Sequence, residues 1–202
     1  MVADGTAQVT TYSAPATKPP AMEKKLAMRI LFCGGGLEAS TVIAIFTKPG
    51  AGIKSVKDLK GKKVYVDKPA NIWPAPVMDA LLKHNGMTRE DFTYLKFENA
   101  EDCFKALKEG RVDAFFYLAG SGTVDMAQTV GLYVVPLTPQ EQQAVEDLGT
   151  GWVRTVWVKG AFGNPSDTPT VATPILFYTN PKLSEYTVYT VVKTMFYHRR
   201  AE

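Results

Sequence analysis

Ile53-Lys-Ser-Val-Lys-Asp-Leu-Lys-Gly-Lys-Lys-Val-Tyr-Val66 takes the chain from a helical turn, through a glycine turn, into a buried strand. Ser55 stands where a residue caps a helical turn. Asp58 follows three residues later, where the acid of a capping box sits. Gly61 serves the tight turn, and Lys62 and Lys63 lead into Val64, Tyr65 and Val66, a compact β-prone run. Further on, Ala106-Leu-Lys-Glu-Gly-Arg-Val-Asp-Ala-Phe-Phe116 closes a helix on Gly110 and opens a second apolar strand.

Working outward from these two stretches, strands are expected at 63–66, 92–97, 112–118 and 132–137. Helices alternate with them at 76–84, 100–109, 123–130 and 140–147. The first helix stops at Gly86. The second has Asn99 as N-cap, Gly110 as its stop, and Cys103, Phe104 and Leu107 as its buried stripe. The run 112–118 is near-continuously apolar, as expected of a strand at the centre of a parallel sheet. The helix at 140–147 reads as solvated. This order implies an α/β fold with a doubly wound sheet and right-handed crossovers.

Upstream, Met28-Arg-Ile-Leu-Phe-Cys33 reads as a strand ending at Gly34-Gly-Gly36, and 41–47 as another, stopped by Pro49-Gly50. Downstream, 152–159 and 171–178 read as strands around a polar loop at 160–169. Ser184 then caps a helix to about residue 198, with Val188, Val191, Val192, Met195 and Phe196 on one face.

Composition narrows the function. The chain has 202 residues, 46% hydrophobic and 21% charged, with a net charge of +3. That scattered excess excludes a nucleic-acid partner. No run reaches the ~20 apolar residues of a membrane helix. Cys33 and Cys103 make no disulfide framework, and Cys103 fits a helix face as a small hydrophobe. His84 and His198 have no metal-ligand neighbours at useful spacing. Gly34-Gly-Gly36 lacks the spacing and acidic partner of a dinucleotide fingerprint. No nucleophile elbow or Cys-x-x-Cys appears. Asp79, Glu101, Asp102 and Glu109 read as solvated helix charges, and Asp113 as a structural hydrogen-bonding residue. No enzyme activity, cofactor or metal is expected.

The turn and strand at 53–66 resemble the entry into the second lobe of a type II periplasmic binding protein, and the 106–116 frame strengthens the match. Together they resemble the TAXI family, the extracytoplasmic solute receptors of TRAP transporters, over about residues 26–197. The resemblance implies a type II periplasmic-binding-protein-like fold with one lobe complete and a partial second lobe. It divides the chain into a flexible arm at 1–21, partial first lobe and hinge at 22–56, second lobe at 57–150, and hinge return with first-lobe segment at 151–202. Hinge strands are expected around 47–60 and 148–156. Family members begin with a signal peptide and a whole first lobe. Neither is visible here, so the chain is expected to be the C-terminal part of a receptor that is periplasmic in full. The implied ligand is a small organic acid or an amino acid such as glutamate, and the implied partner is a membrane permease of a TRAP transporter. Two other readings share the architecture: a small-molecule enzyme, which needs a placed acid, base or cysteine, and an effector domain, which needs a DNA-binding segment.

Two loops stand out as sites. In Tyr117-Leu-Ala-Gly-Ser-Gly-Thr123, Gly120 and Gly122 permit close backbone approach, and Ser121 and Thr123 offer hydroxyls beside free helix amides. The stretch reads as an anion cradle or as an ordinary capped turn. In Val66-Asp-Lys-Pro-Ala-Asn-Ile-Trp-Pro-Ala-Pro76, the family resemblance implies a small Gly/Ser/Thr-rich loop, yet Pro69, Pro74 and Pro76 lack backbone donors. Lys68, Asn71 and Trp73 stand there instead. Lys68 either pairs with a carboxylate or is solvated, and Trp73 either walls a pocket or packs under the loop. Trp157 and Phe162 flank Lys159-Gly160 where the family places a cleft aromatic, with core packing as the alternative for Trp157. Glu38, after the triple glycine, is a weaker candidate.

Overall fold

The structure is a computed structural model, and it describes residues 9–13, 29–33, 40–66, 74–95, 97, 100–119, 121–160 and 164–197. The elements in chain order are β1 (Val9–Ser13), β2 (Arg29–Cys33), β3 (Ser40–Thr47), β4 (Lys63–Val66) and α1 (Pro74–His84). Next come β5 (Thr93–Leu95), α2 (Ala100–Lys108), β6 (Ala114–Leu118), α3 (Ser121–Val130) and β7 (Tyr133–Val134). The chain ends with α4 (Pro139–Glu146), β8 (Val153–Trp157), β9 (Thr168–Thr179) and α5 (Glu185–Tyr197). Two compact units divide it: Thr41–Thr173, and Met1–Ser40 with Pro174–Glu202.

The larger unit is built on a mixed sheet in the order β9-β3-β6-β4-β5, with β8 paired to β9 and β7 to β3. Strand β4 runs parallel to both β5 and β6, while β3 runs antiparallel to β6. The expected parallel sheet is thus present on one side of β6 only. The run 41–47, assigned from sequence to the first lobe, lies beside β6 instead. Its residues Val42 to Phe46 are apolar on both faces and all buried, so they fit only where both faces of a sheet are covered.

Side chains alternate across this sheet, as the two-residue strand period requires. Ile43, Ile45, Val64, Val66, Ala114 and Phe116 join Val77, Met78, Leu81 and Leu82 of α1 and Val145 of α4 in one cluster. Ala44, Phe46, Tyr65 and Phe115 join Cys103, Ala106 and Leu107 of α2 and Met126 of α3 in the other. Phe46 and Phe115 stack at 5.0 Å between ring centroids. Each aromatic or aliphatic side chain so buried contributes about 1.5–3 kcal/mol.

Local chemistry sets the ends of these elements. Ahead of β4, a 3-10 turn spans Val56–Leu59. Ser55 and Asp58 form the expected capping box, and the Ser55 hydroxyl also donates to the Asp58 carboxylate at 3.0 Å. Asp58 also accepts the backbone N–H groups of Lys54 and Ser55, each at 2.9 Å. The acid, more than the serine, closes the turn. These bonds, the Lys54 N–H first, hold the Asp58 carboxyl below its ordinary range. Gly61 turns the chain at φ 73°, and its N–H donates to the Asp91 carbonyl at 2.7 Å.

Helix α4 is not the solvated helix expected. Glu141, Gln142 and Val145 are buried. Glu141 accepts the Thr138 N–H at 2.7 Å and the Asn85 side-chain amide at 2.7 Å. Gln142 donates to the Thr170 carbonyl at 2.6 Å. Full satisfaction of these groups permits their burial. Asn164, also buried, acts as a substitute strand residue: its Oδ1 accepts the Val134 N–H and its Nδ2 donates to the Val134 carbonyl, both at 2.9 Å.

In the smaller unit, β1 and β2 both pair antiparallel with the second half of β9. Strand β1 falls within the arm expected at 1–21. Val9-Thr-Thr-Tyr-Ser13 is β-branched and aromatic, which favours pairing over a free tail. Ser184 caps α5 as expected, its Oγ accepting the Thr187 N–H at 3.2 Å. Among the described residues no helix is long and apolar enough to cross a membrane.

Candidate functional site

Strands β4 and β6 are parallel neighbours in the register Val66↔Phe116, so they end at the same edge of the sheet. From β4 the chain crosses through α1 on one face to β5. From β5 it returns through α2 on the other face, over β4, to β6. The winding direction reverses between β4 and β6. Such a switch point, outside the carboxyl ends of the strands, is where open α/β sheets bind ligands.

Two helix starts follow from these strand ends. After β6, the Ala119 N–H donates to the Val42 carbonyl at 2.8 Å, which extends the ladder one residue and fixes the exit. Helix α3 then begins at Ser121, two residues earlier than expected. Ser121, Gly122 and Thr123 therefore form its first turn, whose amides have no intrahelical partner and whose dipole favours an anion. Thr123 is buried. Gly120 lies outside the described residues.

After β4, Lys68, Asn71 and Trp73 also lie outside the described residues. Their flanks are fixed. The Tyr94 hydroxyl donates to the Val66 carbonyl at 3.2 Å, tying β5 to the last residue of β4. Helix α1 opens on Pro74-Ala-Pro76, so its first turn lacks two amides. Of the two helix starts at the switch point, α3 keeps the fuller set of donors.

Trp157 is placed differently. It pairs with Thr168 on β8, three strands from β6 in the sheet order. Its half-buried side chain packs against the cluster that contains Phe46 and Phe115. Phe162 and Glu38 lie outside the described residues. Sequence reasoning passed over Tyr94 as a site neighbour and gave Tyr117, the first residue of the candidate stretch, no role of its own. Tyr117 sits near the carboxyl end of β6, edge-on to Phe104 at 6.0 Å. Its spacing of two from Phe115 signals the shared face.

Away from the switch point, a groove of about 610 Å³ between α1 and α4 is lined by Pro76, Asp79, Lys83, His84 and Leu148, among others. Asp79 is exposed but not merely solvated: Arg89 donates to it at 2.7 and 3.0 Å, which raises the guanidinium pKa. Glu109, likewise expected to be solvated, pairs with Arg111 at 2.6 Å. A second groove of about 390 Å³ lies between α2 and α3, over Phe104 and Met126. Among the described residues no cluster of His, Cys, Asp or Glu could hold a metal.

A switch point between β4 and β6, with helices on both faces of a mixed sheet, defines a type II periplasmic-binding-protein-like fold. The similarity to solved structures agrees. The periplasmic aliphatic sulphonate binding protein SsuA from Escherichia coli aligns with a TM-score of 0.52 at 17% identity, over 89% of this chain and 47% of that one. A Xanthomonas citri protein bound to ATP aligns at 0.54 with 10% identity, over 93% of this chain and 62% of that one. The same protein bound to chloride ion gives 0.52 over the same shares, again at 10% identity. The chain thus spans about half the length of the sulphonate-binding protein and less than two thirds of the Xanthomonas protein. The chain belongs to the NMT1-like family, whose pattern matches residues 22–201.

Proposed function

We propose that this chain is the ligand-capturing part of an extracytoplasmic solute receptor, and that it holds a small carboxylate or amino acid at the β4–β6 switch point. One observation carries the reading. Strand β6 leads into the first turn of α3 at the same sheet edge at which β4 ends, two residues before Lys68 in the sequence. The helix start supplies oriented donors without a full charge, worth about 0.3–1 kcal/mol to an anion and more when partly buried. Lys68 supplies the full charge, Asn71 a further polar contact, and Trp73 an apolar wall. Trp157 serves as a more distant cleft aromatic. Sulphonate, ATP and chloride, the ligands of those neighbours, are all anions, and that supports an anionic ligand here.

The ligand is captured and released unchanged. Residues 57–150 form the core of the second lobe, and hinge closure against a first lobe clamps the ligand. The loaded receptor serves a membrane permease. The TAXI resemblance favours a TRAP-type one.

Calorimetric titration of the chain with small carboxylates and with their amides tests this reading. Acids are expected to bind and amides to bind at least several-fold more weakly. Ser121→Ala with Thr123→Val, and separately Lys68→Met, are expected to weaken acid binding. Equal binding of acid and amide, or no loss in either variant, overturns the site.

A further inference from the structure

The net charge of +3 is small, but the fold does not spread it evenly. Residues 48–63 carry six lysines against one acid, Asp58. The segment leaves β3 at Thr47 and enters β4 at Lys63. Thr47 and Val64 are both level with Ala114, the first residue of β6. These lysines therefore stand at the edge of the sheet where β4 and β6 start, opposite the edge where they finish. Lys105 and Lys108 belong to the last turn of α2, the helix that leads into β6. The Lys48 ammonium donates to the Lys108 carbonyl at 2.9 Å and joins the two segments.

The acids of this edge are engaged by other groups. Asp58 accepts the Lys54 and Ser55 N–H groups, Asp91 the Thr88 N–H, and Asp113 the Lys63 N–H. Glu109 pairs with Arg111. Asp91 also meets Lys60 at 3.2 Å, yet the Lys60 side chain remains 74% exposed. Among the described residues, Lys57, Lys62 and Lys63 meet no carboxylate at ion-pair distance. Lys54, Lys57, Lys63, Lys105 and Lys108 are all exposed.

The side chains select the kind of partner. Residues 48–63 include no arginine and no aromatic residue. Protein interfaces are rich in both and poor in lysine, and single-stranded nucleic acid needs aromatic platforms. The larger apolar residues of the segment, Ile53, Val56 and Leu59, are buried in the core, so none is left to anchor a partner or enter a lipid phase. What remains is a set of hydrated point charges on flexible stems, without the fork that fits a shaped anion. A diffuse negative surface suits such a set, and clusters of roughly four to eight basic residues adsorb to anionic bilayers in this way.

We propose that the 48–63 edge adsorbs the protein to an anionic lipid bilayer by charge alone. The opposite edge, where β4 and β6 finish, stays clear of the lipid. The inference therefore does not depend on the ligand read there.

Sedimentation with vesicles at low salt tests it, phosphatidylcholine vesicles being set against mixed phosphatidylcholine–phosphatidylglycerol vesicles. The unaltered chain is expected to bind the mixed vesicles alone and to be released by added salt. Each lysine near an anionic leaflet strengthens adsorption about fivefold. Lys57→Gln with Lys63→Gln should therefore weaken it by about tenfold or more, while Lys57→Arg with Lys63→Arg should bind as the parent does. Lys182→Gln with Lys193→Gln removes the same charge from the smaller unit and should leave binding intact. Equal binding to both kinds of vesicle overturns the inference. So does parent-like binding after Lys57→Gln with Lys63→Gln, a like loss in the arginine variant, or a like loss after Lys182→Gln with Lys193→Gln. Failure to bind the mixed vesicles also overturns it, and binding of duplex DNA or poly-L-glutamate in that case would assign the edge to a macromolecular polyanion instead.

Discussion

Asp113 and Lys63 hold each other by two hydrogen bonds, the Asp113 N–H to the Lys63 carbonyl and the Lys63 N–H to the Asp113 carboxylate, both at 2.8 Å. The Asp113 carbonyl also accepts the Thr47 hydroxyl at 2.7 Å. One residue thereby joins the starts of β4 and β6 to the end of β3. The seam sets the register in which β4 and β6 finish at the same edge of the sheet.

Asp113→Ala removes the acceptor of the Lys63 N–H and is expected to cost about 1 kcal/mol, given the partial exposure of the site. Urea unfolding followed by circular dichroism measures it. A variant as stable as the parent would mean that the carboxylate contributes nothing to the seam.

Amide hydrogen exchange is expected to be slowest in Ala114–Leu118. This strand is paired on both sides and covered on both faces, and such segments open only with the global transition. The short β5, paired with β4, should exchange sooner. Fast exchange at Phe115 and Phe116 in the folded protein would contradict the central placement of β6.

Asn164→Ala strips Val134 of both main-chain partners. Each buried polar group so orphaned costs about 1–3 kcal/mol, so a loss of roughly 3 kcal/mol is expected in chemical denaturation. Asn164→Asp keeps the acceptor, loses the donor, and should fall between the two. Parent-like stability of Asn164→Ala would mean that water replaces the amide.

Asp58 and Asp91 both have lowered carboxyl pKa values, Asp58 first through the Lys54 N–H and Asp91 first through the Thr88 N–H. A lowered folded-state pKa contributes stability above the unfolded value, near pH 4, and loses it as pH falls through the folded value. Stability should therefore be flat from neutral pH to about pH 4 on their account and decline below. Asp58→Asn should be less stable than the parent at neutral pH and converge with it in acid. Parallel pH curves for the two proteins would exclude this linkage.

Much of the larger unit was legible in sequence because its signals are local. Gly61, Gly86 and Gly110 mark turns at positive φ, and the compact apolar runs of 63–66 and 114–118 mark strands. The place of 41–47 was not legible. Its apolar run fits any doubly covered sheet, and only long-range pairing with Ala114–Leu118 decides among them. The burial of Glu141 and Gln142 was hidden for the same reason, since their partners Asn85 and Thr170 are far away in sequence. At the candidate site, the strand-to-helix turn at 117–123 could be read directly.

The Asn85 amide that joins the end of α1 to Glu141 has a chemical consequence over time. Glycine follows it, and Gly86 has no side chain to hinder attack of its backbone nitrogen on the Asn85 amide carbon. That cyclisation expels ammonia, and hydrolysis of the ring leaves a carboxylate where the donor stood, facing the buried carboxylate of Glu141. Storage would thus convert a bond into a repulsion and loosen α4 from α1. Asn164 is spared this ageing, since the next residue is Pro165, whose nitrogen carries no hydrogen. These two asparagine amides, which tie distant segments of the larger unit together, therefore have unequal lifetimes, and the joint between α1 and α4 should be the first of the two to wear.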